Sequence, residues 1–561
     1  MSGLDWIVVG VYMAAMLVMS AWLGRHQADE RDYYLGNNRM SVWVIAASTM
    51  ATQCSTNSLL GAPAFVIAVG GLLWLQYELA VPLVMIGVMT WLLPFFRRQG
   101  VISVYEYLEK RFGPGSRAML AVFFQFTRAF STGVTVYGIG LVIETISGLP
   151  FWMAVLLLGA VTVAYDYMGG IRAVVWSDAV QMIIIVVGIV FCLGYAVPAA
   201  GGWDAMWRAF PVERMRTLEF GKAGFSEGGT FAFWPMVIGG FFLYLSYYGC
   251  DQTQVQRELS TRSVDDTNMS LFLNGILRFP LVLLYCLIGV AIAGVMVLDP
   301  GLREAMRGGD GQANFNLAVP AFCLRYLPHG VIGLIIVSLF AAAMSSLDST
   351  INSLSAVTMR DVVSRYWLKR ELTGRSAILW PRMTTLFWGL VCVAFSFCVG
   401  GVSHSIIESV NKLASLANGP VLAVFLLATL TRRTHDRGVM VAIPAGFVAN
   451  LLTWWLLPGV SWVWWNVSGC VISFVAGYAI SVMFPEPGIE ERSDPYVYHR
   501  DEARFFAYRR NWGRYRMVLA LYFVLMIVVL LALQRYAAGY HAGGLSFDGM
   551  GQSGYGFPGG R

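Results

Sequence analysis

The amino-acid sequence predicts an all-α polytopic membrane protein of about fourteen transmembrane helices. Three observations predict it. Of 561 residues, 57% are hydrophobic and only 13% charged, against roughly 25% charged in an ordinary soluble chain, and the mean hydropathy is +0.62. Apolar runs long enough to cross a hydrocarbon core of about 30 Å recur from end to end. Lys and Arg gather in alternate connecting loops, the pattern that fixes orientation during membrane insertion.

In windows of roughly 20 residues, helices are expected near 5–23, 41–70, 72–96, 117–145, 150–168, 173–199 and 229–250. Seven more are expected near 271–298, 328–358, 380–400, 403–430, 437–457, 462–483 and 515–536. The first run lacks a basic leading segment and a small-residue cleavage site, so it reads as a first transmembrane helix and not as a signal peptide. Alternate loops contain Arg97, Arg98, Lys110 and Arg111; Arg360, Arg365, Lys369 and Arg370; Arg432 and Arg433; and Arg504, Arg509, Arg510 and Arg514. Placing these inside puts the N-terminus outside a cell (plasma or inner) membrane. The loop around Arg208 to Lys222 then falls outside; it is longer and also contains Glu213, Glu219 and Glu227.

The eight cysteines lie mostly in apolar runs without paired spacing, which suits small packing residues and not a zinc or redox motif. A net charge of +6 does not point to nucleic acid, because the arginines sit in short loops and form no single basic face. Gly554, Gly556 and Gly559 match a dinucleotide-binding spacing, but no strand precedes them, so the tail from 537 to 561 is expected to be disordered. No metalloprotease, nucleotide-binding lysine or serine-hydrolase motif occurs, and no nucleophile and base can be paired, so no enzyme is expected.

Polar residues inside apolar spans are costly and therefore mark function by default. In the second span Ser48, Thr49, Thr52, Gln53, Ser55, Thr56, Asn57 and Ser58 lead to Gly61 and Pro63. Such a run suits a locally unwound helix, whose freed carbonyls join hydroxyl oxygens in the hard, neutral cage that sodium prefers. The bland reading is that these side chains bond back to their own helix. In the ninth span Ala341, Ala342 and Ala343 let a neighbour approach, next to Ser345, Ser346, Asp348 and Ser349. Glu78, Arg128 and Asp178 also need partners; helix capping is the plain alternative for Asp178, which with Asp348 could instead share a cation or a proton.

Several segments, in this order and spacing, resemble the sodium:solute symporter family: Tyr33-Tyr34-Leu35-Gly36, Tyr105 to Phe112, Gly169-Gly170 leading to Trp176-Ser177-Asp178, Asp251-Gln252 leading to Gln256-Arg257, and Ser345-Ser346. The resemblance implies a five-plus-five inverted repeat of the leucine-transporter type with a broken first core helix. It divides the chain into an N-terminal extra helix and loop (1–40), a transport core (41–430), added helices (431–536) and the tail. It also implies a sodium site at the carbonyls of Ala51, Cys54 and Ala342 and the hydroxyls of Ser345 and Ser346, and a second cation near Asp178, Ser345, Asp348 and Ser349. Asp348 stands where such members have a neutral hydroxyl, which leaves that second cation open between sodium and a proton.

For the solute, Arg128 resembles an arginine that holds a carboxylate, Gln53, Ser55 and Ser58 match polar pocket positions, and Tyr247 is similar to an inner-gate tyrosine. The alternative is a permanent Arg128–Glu78 ion pair, which would suit a neutral sugar or polyol. The expectation is therefore a multi-pass symporter, monomeric as a transport unit, that imports sodium with a small organic solute by alternating access. A membrane solute sensor derived from a transporter is the rival from another class, disfavoured because no recognisable soluble domain follows the last helix.

Overall fold

In hydrocarbon the backbone must satisfy its own hydrogen bonds, and the chain does so with helices; among the described residues there is no strand. The computed structural model describes residues 1–27, 29–54, 57–306, 314–368, 374–399, 406–499 and 508–541. Each of the fourteen windows holds helix. Among the described residues eleven helices are long and apolar enough to cross a membrane by length and composition.

The difference between fourteen and eleven lies in how helices divide. Phe151–Ala199 runs for 49 residues, which if straight would be about 74 Å at 1.5 Å per residue, more than twice the hydrocarbon thickness. It bends at Gly170 (φ 52°, ψ −150°), between two of the predicted windows. The second window is split into Val42–Gln53, Asn57–Gly61 and Ala62–Ala68, and the seventh into Pro235–Gly239 and Gly240–Cys250, each too short to count alone.

The bend at Gly170 needs glycine twice over. Its backbone conformation is closed to residues with a side chain, and a Cβ there would stand 2.6 Å from the Tyr33 carbonyl oxygen. The short helix Glu30–Leu35 tucks into the bend. The Tyr33 hydroxyl donates to the Asp166 carbonyl at 3.1 Å and lies 3.0 Å from Thr385 Oγ1, while the Tyr34 hydroxyl meets Ser355 Oγ at 2.8 Å.

The arginine-rich loops meet at one end of the molecule. Glu106 pairs with Arg360 at 3.0 Å and Glu109 with Arg365 at 2.5 Å. Arg111 donates to the carbonyls of Ala428 (3.1 Å), Thr434 (3.0 Å) and Thr431 (2.5 Å). Burial pulls the Arg111 guanidinium down to about 10, which leaves it charged at neutral pH. Glu106, Glu109 and Arg111 belong to the helix Val104–Arg111, started by a capping box between Ser103 and Glu106, so this part of the family-like sequence tethers loops together. At the opposite end Asp5 accepts from the Gly330 and Gly333 amides at 2.7 and 3.0 Å, and Arg214 donates to the Ile67 carbonyl. The basic loop around Arg208 to Lys222 therefore lies away from the arginine-rich end, as the alternation of spans requires.

Gly170→Ala is expected to destabilise the fold by at least about 2 kcal/mol through strain and overlap. A thermal unfolding midpoint equal to that of the unaltered protein in detergent would show that the bend does not depend on glycine.

Candidate functional site

The helix Val42–Gln53 stops at Cys54, whose backbone leaves the helical region (φ −81°, ψ 55°) while its amide still bonds the Met50 carbonyl at 2.8 Å. Beyond it the chain resumes as a wide π-helical turn, Asn57–Gly61, and then Ala62–Ala68 with Pro63 in its first turn. Proline needs no amide partner there, so it suits a restart. The Ala51 carbonyl at the break is received by the helix Val331–Val357, whose Ala341, Ala342 and Ala343 are buried and allow close approach.

The contact occurs where the two polar runs meet. Ser345 Oγ lies 3.1 Å from the Ala51 carbonyl oxygen and 3.3 Å from that of Ala342, and Ser346 Oγ lies 3.2 Å from the Ala342 oxygen. Thr52 Oγ1 adds a link at 3.5 Å to the Ser345 carbonyl. Ala51, Ala342, Ser345 and Ser346 are thus brought together, with Cys54, fully buried, at the break beside them. Hard, uncharged oxygens converging from two helices are a donor set that fits a sodium ion.

Next to this cage Asp178 and Asp348 are both completely buried. Asp178 accepts from Ser48 Oγ at 2.6 Å, and Asp348 accepts from the Tyr165 hydroxyl and, at 3.4 Å, from Ser177 Oγ. Ser349 Oγ bridges the two acids, 3.1 Å from Asp348 and 3.5 Å from Asp178. Asp178 lies within its helix, eight positions past the bend, and caps nothing. It also has a cationic neighbour that sequence reasoning did not assign: Arg257 Nη1 at 3.7 Å.

The alternative ion pair between Arg128 and Glu78 does not form. Glu78 receives both arms of Arg278, at 2.9 and 3.3 Å, deep in the protein. Arg128 instead binds Asp251, through Nε at 2.8 Å and also through Nη2, and its guanidinium sits 5.4 Å from the Tyr247 ring centre. The two pairs differ in access: side-chain exposure is 6% and 1% for Arg278 and Glu78 but 23% and 14% for Arg128 and Asp251.

Arg278 also reaches Cys54 Sγ at 3.3 Å, and the Tyr248 hydroxyl donates to the Gln53 side-chain oxygen. Gln53 and Tyr248 therefore share the break with the Glu78–Arg278 pair. Ser58 Oγ bonds the Gln53 carbonyl at 3.4 Å, and Tyr247 accepts from Gln254 at 2.7 Å. Ser55 lies outside the described residues. Arg278, Asp251 and Arg257 were missed as site residues, though a lone arginine before Phe279-Pro280 in an apolar span was a legible signal.

A broken helix seated on a small-residue helix, with a neutral oxygen cage and buried ion pairs around it, defines a membrane transporter for a cation and a polar solute. The model of the sodium:solute symporter family matches residues 33–446, and the chain belongs to that family. It is 28% identical over 446 residues to sodium-coupled monocarboxylate transporter 1 of Xenopus laevis, covering 79% of this chain and 69% of that one. It is 26% identical to the sodium/sialic acid symporter NanT of Aliivibrio fischeri over 485 residues, 86% of this chain and 93% of that one. The structure of a substrate-bound, outward-open Na⁺-coupled sialic acid symporter superposes with a TM-score of 0.78 at 22% identity, over 86% of this chain and 99% of that one. At that identity the likeness shows the fold.

Arg278→Ala would leave Glu78 buried without its counter-charge, an expected loss of about 3–5 kcal/mol. Replacing both, Glu78→Leu with Arg278→Met, is expected to recover most of it. Thermal unfolding of the three proteins in detergent checks this; a single variant as stable as the parent would remove the pair from the structural account.

Proposed function

We propose that this symporter imports a small organic anion together with sodium across a cell membrane, as a monomer, by alternating access. The sodium ion binds the carbonyls of Ala51, Cys54 and Ala342 and the hydroxyls of Ser345 and Ser346. The observation that carries the reading is the approach of Ser345 to Ala51, because an ion bridging those groups ties the broken helix to its neighbour and so couples ion binding to helix position. With the arginine-rich end cytoplasmic, the N-terminus lies outside.

Arg128 is the group that meets the anion. Of Arg128 and Arg278 it is the more accessible, and its planar donors match a carboxylate. Its bond to Asp251 is then exchanged for one to the solute. The relatives point the same way, since their names specify a monocarboxylate and sialic acid. A second reading, a neutral sugar or polyol, has one observation in its favour: both arginines are matched by carboxylates, Asp251 and Glu78, so the site needs no further negative charge.

Uptake into proteoliposomes is the test, with sialic acid, lactate, galactose and proline as probes. Replacing sodium by choline is expected to abolish uptake of the transported probe; unchanged uptake driven by a proton gradient would overturn the sodium assignment. Ser346→Ala removes one of five oxygen ligands and is expected to raise the sodium concentration for half-activation about tenfold, or about 1.4 kcal/mol. Arg128→Ala is expected to abolish uptake of the carboxylates; preserved carboxylate uptake in that variant would sink the anion-binding role.

A further inference from the structure

Arg257 is 1% exposed and sits on the helix Gln252–Leu259, every residue of which is buried. An arginine so enclosed is held by what surrounds it. Nη1 donates to the Ser48 carbonyl at 2.9 Å and to Thr52 Oγ1, and lies 3.7 Å from Asp178 Oδ2. Ser48 and Thr52 belong to the broken helix, three residues and one residue from Ala51. The Ser48 hydroxyl is on the same Asp178 oxygen, and Thr52 Oγ1 lies 3.0 Å from Ser349 Oγ.

A carbonyl, a hydroxyl and a carboxylate converging on one positive group are the donor set of a small cation site. Here a guanidinium from the chain's own helix Gln252–Leu259 takes that place. We propose that Arg257 is the resident cation of the second ion site, so that a single sodium ion, in the cage between Ala51 and Ser346, drives each transport cycle. Asp348, the other acid of that site, is met among the described residues by the hydroxyl groups of Tyr165, Ser177 and Ser349. A second sodium beside Asp178 would lie within a few ångströms of Arg257, and the repulsion between two like charges that close in a buried site keeps it out.

The proposal rests on the sodium-coupled reading above, and binding of ²²Na⁺ alone to the purified full-length chain separates the two. The unaltered chain is expected to bind one sodium per molecule. Arg257→Gln, which keeps hydrogen-bonding capacity and removes the charge, is expected to bind two. Asp178→Asn is expected to bind one, and Ser346→Ala to bind one about tenfold more weakly. Two sodium ions in the unaltered chain, one in folded Arg257→Gln, or none in folded Asp178→Asn would overturn the assignment of Arg257. No sodium in the unaltered chain would overturn the sodium reading with it. If Arg257→Gln does not fold, the counts for the unaltered chain and Asp178→Asn decide.

Discussion

An unpaired peptide group in hydrocarbon has no water to turn to, and leaving it unmet costs several kcal/mol. A chain that opens its backbone inside a membrane can do so only where other protein atoms receive it. The break at Cys54 is such an opening, and its neighbours are shaped by the need to receive it. Three consecutive alanines bring one helix close, Ser345 places its hydroxyl on the Ala51 carbonyl, and Pro63 restarts the helix where no donor is wasted. The same carbonyls that need partners are the ones proposed to hold the ion, so the cost of breaking the helix and the proposed sodium site have one origin.

Charge around the break follows a second constraint. Asp166, Asp178, Asp348 and Glu258 are all fully buried, and Arg257 is the guanidinium set among them. Glu258 is met by hydroxyls, Thr49 at 2.8 Å and Ser270 at 3.1 Å, and Asp166 by the Asn352 amide at 3.0 Å. Carboxylates therefore outnumber the buried cation in this layer.

Hydropathy made most of the scaffold legible, because the length of a spanning helix is set by the bilayer and not by its neighbours. The meeting of the two polar runs was legible as well, since polar residues in membrane-spanning sequence are rare enough to stand out: Ala51 and Ser345 meet although 294 residues separate them. Pairing was not legible. Glu78 and Arg128 share an estimated depth, but depth says nothing about which side of a helix faces which neighbour. Packing gives Glu78 to Arg278, 200 positions away, and Arg128 to Asp251. Arg257 escaped for a related reason: in sequence it lies in a polar stretch that reads as a loop, and only the fold encloses it.

The two arginine pairs carry different amounts of freedom, and that difference bears on how the protein moves. Arg278–Glu78 joins spans three and eight with almost no solvent access, so separating it would expose uncompensated charge to an apolar interior. Arg128–Asp251 joins span four to the junction between Cys250 and the helix Gln252–Leu259, where Asp251 also caps that helix through the Thr253 amide at 2.8 Å. Its partial exposure lowers the cost of parting. A transporter that alternates must hold some contacts through the cycle and exchange others, and burial sorts these two: the sealed pair keeps spans three and eight together, while the open pair can yield its carboxylate to a competing one. In the proposed reading, a solute anion that displaced Asp251 from Arg128 would loosen the junction after span seven in the same step, so that recognition of the solute and movement of that helix would draw on a single ion pair.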